Sequence, residues 1–259
     1  MDGDITGALN FFSHTIDGSP PWMDGNPKLG WLSSNFAQTP VRITIHDLRG
    51  KENIIDLDTN GFEILKYDGD IHDEFNDNSE TQQHYYEEIT NVLKKRLDAS
   101  RVIIYNHITR YRGPPHYDPP AAHFKVKQML GEEVANRVMQ KRFQIINVWR
   151  PLGPNPIMNT PLTICDYRSL DLDNDLHVSE IRNSLVTIAL YIISHNSRDA
   201  QKWYYLSNMR SNEMFVFKIF DSKPDVAQFG AHTAFINESV LSTNIQQCSI
   251  EVRCLVLYD

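Results

Sequence analysis

Cysteine is scarce in this chain. Cys165, Cys248 and Cys254 are the only three in 259 residues, and none stands in a C-x-x-C pair. An odd, sparse count argues against a disulfide frame or a zinc knuckle and for a reducing, cytoplasmic setting. Basic charge is also short: the formal net charge is −8. No stripe of Lys and Arg forms, so nucleic acid is not an expected partner. The one local run, Lys94-Lys95-Arg96, suits the C-terminal end of a helix. Long apolar runs are missing too. The longest, LVTIALYII at 185–193, falls short of the roughly 18 residues of a membrane span and reads as a buried strand. No membrane partner is expected. The opening MDGDITGALNFF lacks the basic and apolar regions of a signal peptide. There is no internal repeat and no low-complexity linker.

What is present is ordinary globular material, 41% hydrophobic and 10% aromatic, enough for one β-rich domain over residues 1–259. Residues 1–40 are rich in Pro, Gly, Asn and Ser and read as a loop-rich segment or lid, with DGSPPWMDGNP at 17–27 and anchors at Trp22 and Trp31. The expected core runs from 41 to 259. VRITIHDL (41–48) alternates as a strand does, and NIIDLDTNGFEILKY (53–67) reads as two strands about an Asn60-Gly61 hairpin turn. Residues 78–97 form the clearest helix, with Ser79 as N-cap and Tyr85, Ile89, Val92 and Leu93 at helical spacing. RVIIYNHI (101–108) is a strand. Residues 121–141 form a second helix that Gly131 threatens to divide. Six strand-like runs follow, at 142–152, 162–170, 184–193, 202–207, 214–222 and 248–259. Closely spaced strands with few helices predict a mainly β sandwich or barrel with covering helices.

The stretch GPPHYDPP (113–120) carries the first chemical signal. Prolines 114, 115, 119 and 120 fix φ and bias their predecessors toward extended backbone. Side chains two apart on extended backbone point the same way, so His116 and Asp118 can reach one ion. A double-stranded β-helix, or jelly roll, sets such a pair in the mouth of the barrel. His232, in GAHTAF (230–235), offers a third ligand from a later strand, beside the small Gly230 and Ala231. Two imidazoles and a carboxylate make the facial triad of non-haem iron(II) oxygenases, with open positions for cosubstrate and O2. The usual cosubstrate, 2-oxoglutarate, has a distal carboxylate that needs a buried cation. Arg253, within the apolar SIEVRCLVLYD, can supply a bidentate one. A salt bridge to Glu251 is the competing role for Arg253. His107, His123 and His195 are competing histidines: His123 reads as a capping or surface residue, and His107 as a residue close behind the ligands.

RFQIINVWRPLGP, PLTICDYRSLD, KWYYLSNMRSNEMFVFKIFDS, AHTAFIN and SIEVRCLVLYD, in that order, resemble a fungal and bacterial group of gibberellin-desaturase-like, or hydroxylase/desaturase-like, oxygenases. That group includes enzymes of fungal secondary metabolism and a bacterial protein associated with cephamycin methoxylation. The resemblance covers roughly residues 100–259. It implies a jelly-roll iron(II)/2-oxoglutarate-dependent dioxygenase that uses O2 to hydroxylate, desaturate or oxidatively cyclise a small metabolite. It also implies His116, Asp118 and His232 as iron ligands and Arg253 as the 2-oxoglutarate anchor. Asn147, Trp149 and Arg150 of the shared N-V-W-R-P stretch are pocket candidates, with core packing for Trp149 and a salt bridge to Asp166 for Arg150 as the alternatives. Tyr105, Tyr205 and Lys218 are further candidates near the pocket. Tyr204 and Tyr205 must face opposite ways, so at most one lines the barrel, and Lys218 has Asp221 as a structural partner. A non-catalytic helper and a cupin-type metalloenzyme without 2-oxoglutarate are the alternatives. The substrate is left open, and so is the oligomeric state, with which a homodimer is compatible.

Overall fold

The computed structural model describes residues 3–24, 33–69, 80–111, 122–182, 187–196, 198–240 and 247–259. The chain opens with β1 (Ile5–Thr15), β2 (Trp22–Asp24) and β3 (Phe36–Asp47). Residues expected as a loop or lid therefore supply strands. In β1, Leu9 and Phe11 point inward between exposed neighbours, the alternation of a half-buried strand. Trp22 lies under the Arg182 guanidinium, 5.1 Å from the ring centre. Trp31 lies outside the described residues.

The expected Asn60-Gly61 hairpin is not one. Asp56 accepts hydrogen bonds from the backbone N–H groups of Asp58 (2.9 Å) and Thr59 (3.2 Å), capping a one-turn helix, α1 (Leu57–Asn60). Gly61 closes it at φ +89°, a conformation glycine adopts without strain. The Asn60-Gly61 pair ends a capped helical turn, and the residues before it are ordered by that cap and not by strand pairing. There follow β4 (Phe62–Lys66), α2 (Glu80–Leu97) and β5 (Arg101–Tyr111). Ser79, the expected cap of α2, is outside the described residues. The second expected helix divides at Gly131, φ +76°, into α3 (Ala122–Leu130) and α4 (Glu132–Val138). The remaining strands are β6 (Phe143–Leu152), β7 (Leu162–Cys165), β8 (Leu176–Arg182), β9 (Thr187–Ile193), β10 (Trp203–Tyr205), β11 (Glu213–Asp221), β12 (His232–Ala234) and β13 (Cys248–Leu257).

Among the described residues, one five-stranded sheet has the order β4-β11-β6-β13-β5 and another β1-β3-β10-β7-β12; a small sheet runs β2-β8-β9. The large sheets face each other across Phe62, Trp149, Phe215 and Phe217 from the first and Leu162 and Ile164 from the second. This is the double-stranded β-helix expected from the sequence. The outer face of the first sheet carries Ile146, Val148, Val216, Ile250 and Val252, and α2 covers it with Tyr85, Ile89 and Leu93, a stripe at i, i+4 and i+8. Because β6 and β13 are central and covered on both faces, every residue in them is buried. That explains their near-continuous apolar sequences, and it makes the polar residues in them informative. No described helix is long and apolar enough to cross a membrane.

Candidate active site

Paired residues on neighbouring strands share a face of the sheet. Arg253 of β13 pairs with Asn147 of β6, Asn147 with Phe217 of β11, and Phe217 with Phe62 of β4. On the other side Arg253 pairs with Asn106 of β5. These residues form a row across the inner face of the first sheet. In the facing sheet His232 pairs with Ile164, and Ile164 with Tyr204. The two faces meet at His232, whose ring centre is 4.5 Å from that of Phe217. His232 and Arg253 are thus brought to one interior, with Asn147 between them and strands two apart separated by roughly 10 Å.

His232 Nδ1 lies 2.9 Å from the Gly230 carbonyl oxygen. A carbonyl only accepts, so Nδ1 carries a proton, which leaves Nε2 as the nitrogen able to offer a lone pair to a metal. Arg253 is 7% exposed. Its Nε and Nη2 donate to Glu251 Oε1 at 3.3 and 3.2 Å, longer than the 2.7–2.9 Å usual for charge-assisted bonds. The competing role anticipated for Arg253 is therefore present, but loosely made. Asn147 is 2% exposed, and its Oδ1 accepts no hydrogen bond among the described residues. Such a group costs about 1–3 kcal/mol unless a bound polar molecule satisfies it. An imidazole with the correct tautomer and a buried guanidinium fit an iron and a dicarboxylate cosubstrate, while the orphan Oδ1 of Asn147, an acceptor, suits a bound hydroxyl or water. His116 and Asp118 lie outside the described residues. No three His, Cys, Asp or Glu side chains among the described residues are grouped as a metal would need.

The other candidates divide by face. Trp149 shares the inner face with Asn147 and packs 6.4 Å from Phe215, centre to centre, within the core. Arg150 points outward instead, donating to Tyr85 Oη (3.0 Å) and the Ser211 carbonyl (2.7 Å) and stacking 4.0 Å from the Tyr67 ring centre. The suggested partner Asp166 is engaged in the other sheet by Arg168 at 2.6 Å and Asn60 at 2.9 Å. Tyr105 packs with Phe143, Leu255 and the helices α3 and α4. Of the adjacent tyrosines, Tyr204 faces the space between the sheets, 6.2 Å from Phe62. Tyr205 faces away and donates its hydroxyl to the Gly3 carbonyl at 2.7 Å. Lys218 is fully buried and holds Asp221 (2.7 Å), as its structural alternative anticipated, and Asp58 (2.6 Å) as well. His107 bonds Tyr86 Oη at 2.6 Å beneath α2, and His195 lies 3.4 Å from Asp199. The side chain of His123 is outside the described residues. Sequence reasoning missed Phe217 as the residue against His232; the Phe215/Phe217 alternation was the available signal, but strand phase hid which face it met.

Comparison with known proteins agrees with this fold. The family model described as "YDMC: Oxidoreductase/YMDC permease-like domain" matches residues 9–257. The Fe(II)/2-oxoglutarate-dependent dioxygenase nvfI of Aspergillus novofumigatus is 32% identical over 248 residues, 89% of this chain and 88% of that protein. The alpha-ketoglutarate-dependent dioxygenase tstK of Talaromyces stipitatus is 26% identical, covering 96% of each chain. The hydroxylase/desaturase efuI of Hormonema carpetanum is 28% identical, covering 98% of this chain and 95% of that one. Among solved structures, the iron and alpha-ketoglutarate-dependent endoperoxidase NvfI superposes with a TM-score of 0.79 at 26% identity, covering 98% of both chains. A variant of the same enzyme gives 0.82. An inward-facing histidine and a buried arginine on a jelly roll, matched end to end by such relatives, mark this chain as a member of the iron(II)/2-oxoglutarate-dependent oxygenases.

Proposed function

We propose that the chain oxidises an unactivated C–H bond of a small secondary metabolite, by hydroxylation, desaturation or oxidative cyclisation, with iron held by His116, Asp118 and His232. One observation carries the reading. His232 and Arg253, from opposite sheets, face a common interior beside the unsatisfied amide of Asn147. Iron(II) with 2-oxoglutarate and O2 supplies the oxidising chemistry there. The chain's own residues bind, orient and exclude water. His232 presents Nε2 because Gly230 holds the proton on Nδ1. Arg253 offers its guanidinium fork to the far carboxylate of the cosubstrate. Asn147 offers a buried amide to whatever binds between them. Phe62, Trp149, Phe215 and Phe217 keep the interior dry, which strengthens each of these polar contacts. A cytoplasmic setting suits three buried, unbridged thiols.

The test is anaerobic addition of iron(II), then 2-oxoglutarate, with the weak visible charge-transfer band and succinate formation as readouts. Wild type should bind about one iron and show the band. His116→Ala, Asp118→Ala and His232→Ala should lose iron. Arg253→Gln should keep iron yet need at least roughly tenfold more 2-oxoglutarate, the loss of one charged hydrogen-bonded partner. Full iron content in His232→Ala would sink the ligand assignment.

A further inference from the structure

We propose that the Gly61 turn and Lys218 together form the seat that aims His232, making both positioning residues for the metal. The inference rests on the reading of His232 as a ligand and adds what holds it in place.

Lys218 is fully buried, and Nζ has three acceptors for its three protons: Asp58 Oδ1 at 2.6 Å, Asp221 Oδ2 at 2.7 Å and the Ala227 carbonyl at 2.9 Å. Its backbone N–H donates to the Gly61 carbonyl at 2.9 Å, and its own carbonyl accepts from Gly230 N–H at 2.7 Å. Ala227 N–H donates to the Asp58 carbonyl at 2.7 Å. Both α1 and Lys218 therefore have contacts that end on the short segment 227–230. The last carbonyl of that segment, Gly230, is the acceptor of His232 Nδ1 at 2.9 Å. The residue before Lys218, Phe217, lies against the imidazole itself. Two adjacent residues of β11 thus pack on the ring's face and hold the glycine that takes its proton.

The fit is too close for a side chain at Gly61. A Cβ there would stand 2.5 Å from the Phe229 carbonyl oxygen, and one at Gly230 would stand 3.1 Å from the Gly61 carbonyl oxygen. Gly61 sits at φ +89° as well, so it is needed for both conformation and clearance. This gives the Asn60-Gly61 pair, prominent in the sequence, a role other than a hairpin. A buried lysine among carboxylates is costly to assemble, and its three acceptors fix where Asp58, Asp221 and Ala227 stand relative to β11.

Cobalt(II) titration of the apoprotein tests the seat, with dissociation constant and ligand-field spectrum as readouts and melting temperature recorded alongside. Gly61→Ala and Lys218→Met should bind cobalt(II) 10–100-fold more weakly, the usual cost of losing a partner behind a metal ligand, and shift its visible bands. Lys218→Arg should recover part of the affinity. Ile89→Ala, in the buried stripe of α2 against the outer face of the sheet, should lower the melting temperature while leaving affinity and spectrum unchanged. Should Lys218→Met fail to fold, Gly61→Ala and Lys218→Arg carry the comparison. Wild-type affinity and spectrum in folded Gly61→Ala and in the folded Lys218 variants would overturn the seat. Wild-type affinity in His232→Ala would instead overturn the ligand reading beneath it.

Discussion

Two arginines, Arg150 and Arg253, are buried on opposite faces of the same sheet, and their surroundings predict opposite phenotypes. Arg150 is wholly buried, stacked on Tyr67 and Tyr85 and bonded to a hydroxyl and a carbonyl. The Tyr85 hydroxyl has its pKa raised by burial, against the opposing pull of Arg150, so it stays a neutral partner. Arg150→Lys keeps the charge but loses the planar fork and the stacking. It should lower stability by about 2–3 kcal/mol in denaturant titration and leave 2-oxoglutarate affinity unchanged. Arg253→Gln should do the reverse. An affinity loss in Arg150→Lys would place the wrong face inward. The Asn147–Trp149 alternation was legible in the sequence, and so was the Lys218–Asp221 pair, three residues apart. What was not legible was phase. A fully buried strand has no polar side to mark its outside, so Arg150 and Tyr205 could be assigned to either face and the partner of Arg150 could not be named.

At the scale of elements, most of the fold was readable where periodicity was strong. The α2 stripe, the strands β3, β5 and β6, and the break at Gly131 follow from spacing and propensity, whereas the run expected as a strand over 162–170 is one only at Leu162–Cys165, before Asp166 caps a 3-10 turn at Tyr167–Ser169. The N-terminal strands did not follow, because the Gly, Pro and Ser of residues 17–35 dominate the composition of 1–40 and mask the alternation of β1 at Ile5–Thr15, and because β2 has three residues. Gly131 offers a clean test. It sits at φ +76°, ψ +160°, a region open essentially to glycine alone, while a Cβ there would meet nothing within 4 Å. Gly131→Ala should therefore cost about 1–3 kcal/mol from backbone strain alone. If calorimetry finds the variant as stable as wild type, the α3–α4 break is not built as described.

For the whole molecule, acid sensitivity follows from carboxylates tied between elements. Burial alone would raise the pKa of Glu213. Hydrogen bonds from Arg49, from Lys66 at 2.8 Å and from the Arg210 backbone outweigh it and bring the value from 4.5 to about 2. The folded value lies below the unfolded one, so the contribution is complete above about pH 4.5 and is lost as pH falls toward 2. Asp58 and Asp221 shift the same way: burial pushes them up, and Lys218 and Arg142 pull them further down. Glu213→Gln should melt below wild type at pH 7, with the gap closing as pH drops from 4.5 to 2. A gap that stays constant across that range would exclude Glu213 as its source.

β13 lies between β6 and β5, and its pairing joins Leu257 to Arg101, more than half the chain apart in sequence. During synthesis β5 emerges long before the strand that pairs with it. Until β13 leaves the ribosome, the apolar RVIIYNHI stretch has no described neighbour in its own sheet, and the arginine assigned to the cosubstrate has not been made. Closure of the sheet and completion of the pocket are therefore one late event, slow by its long loop closure and exposed to aggregation while it waits.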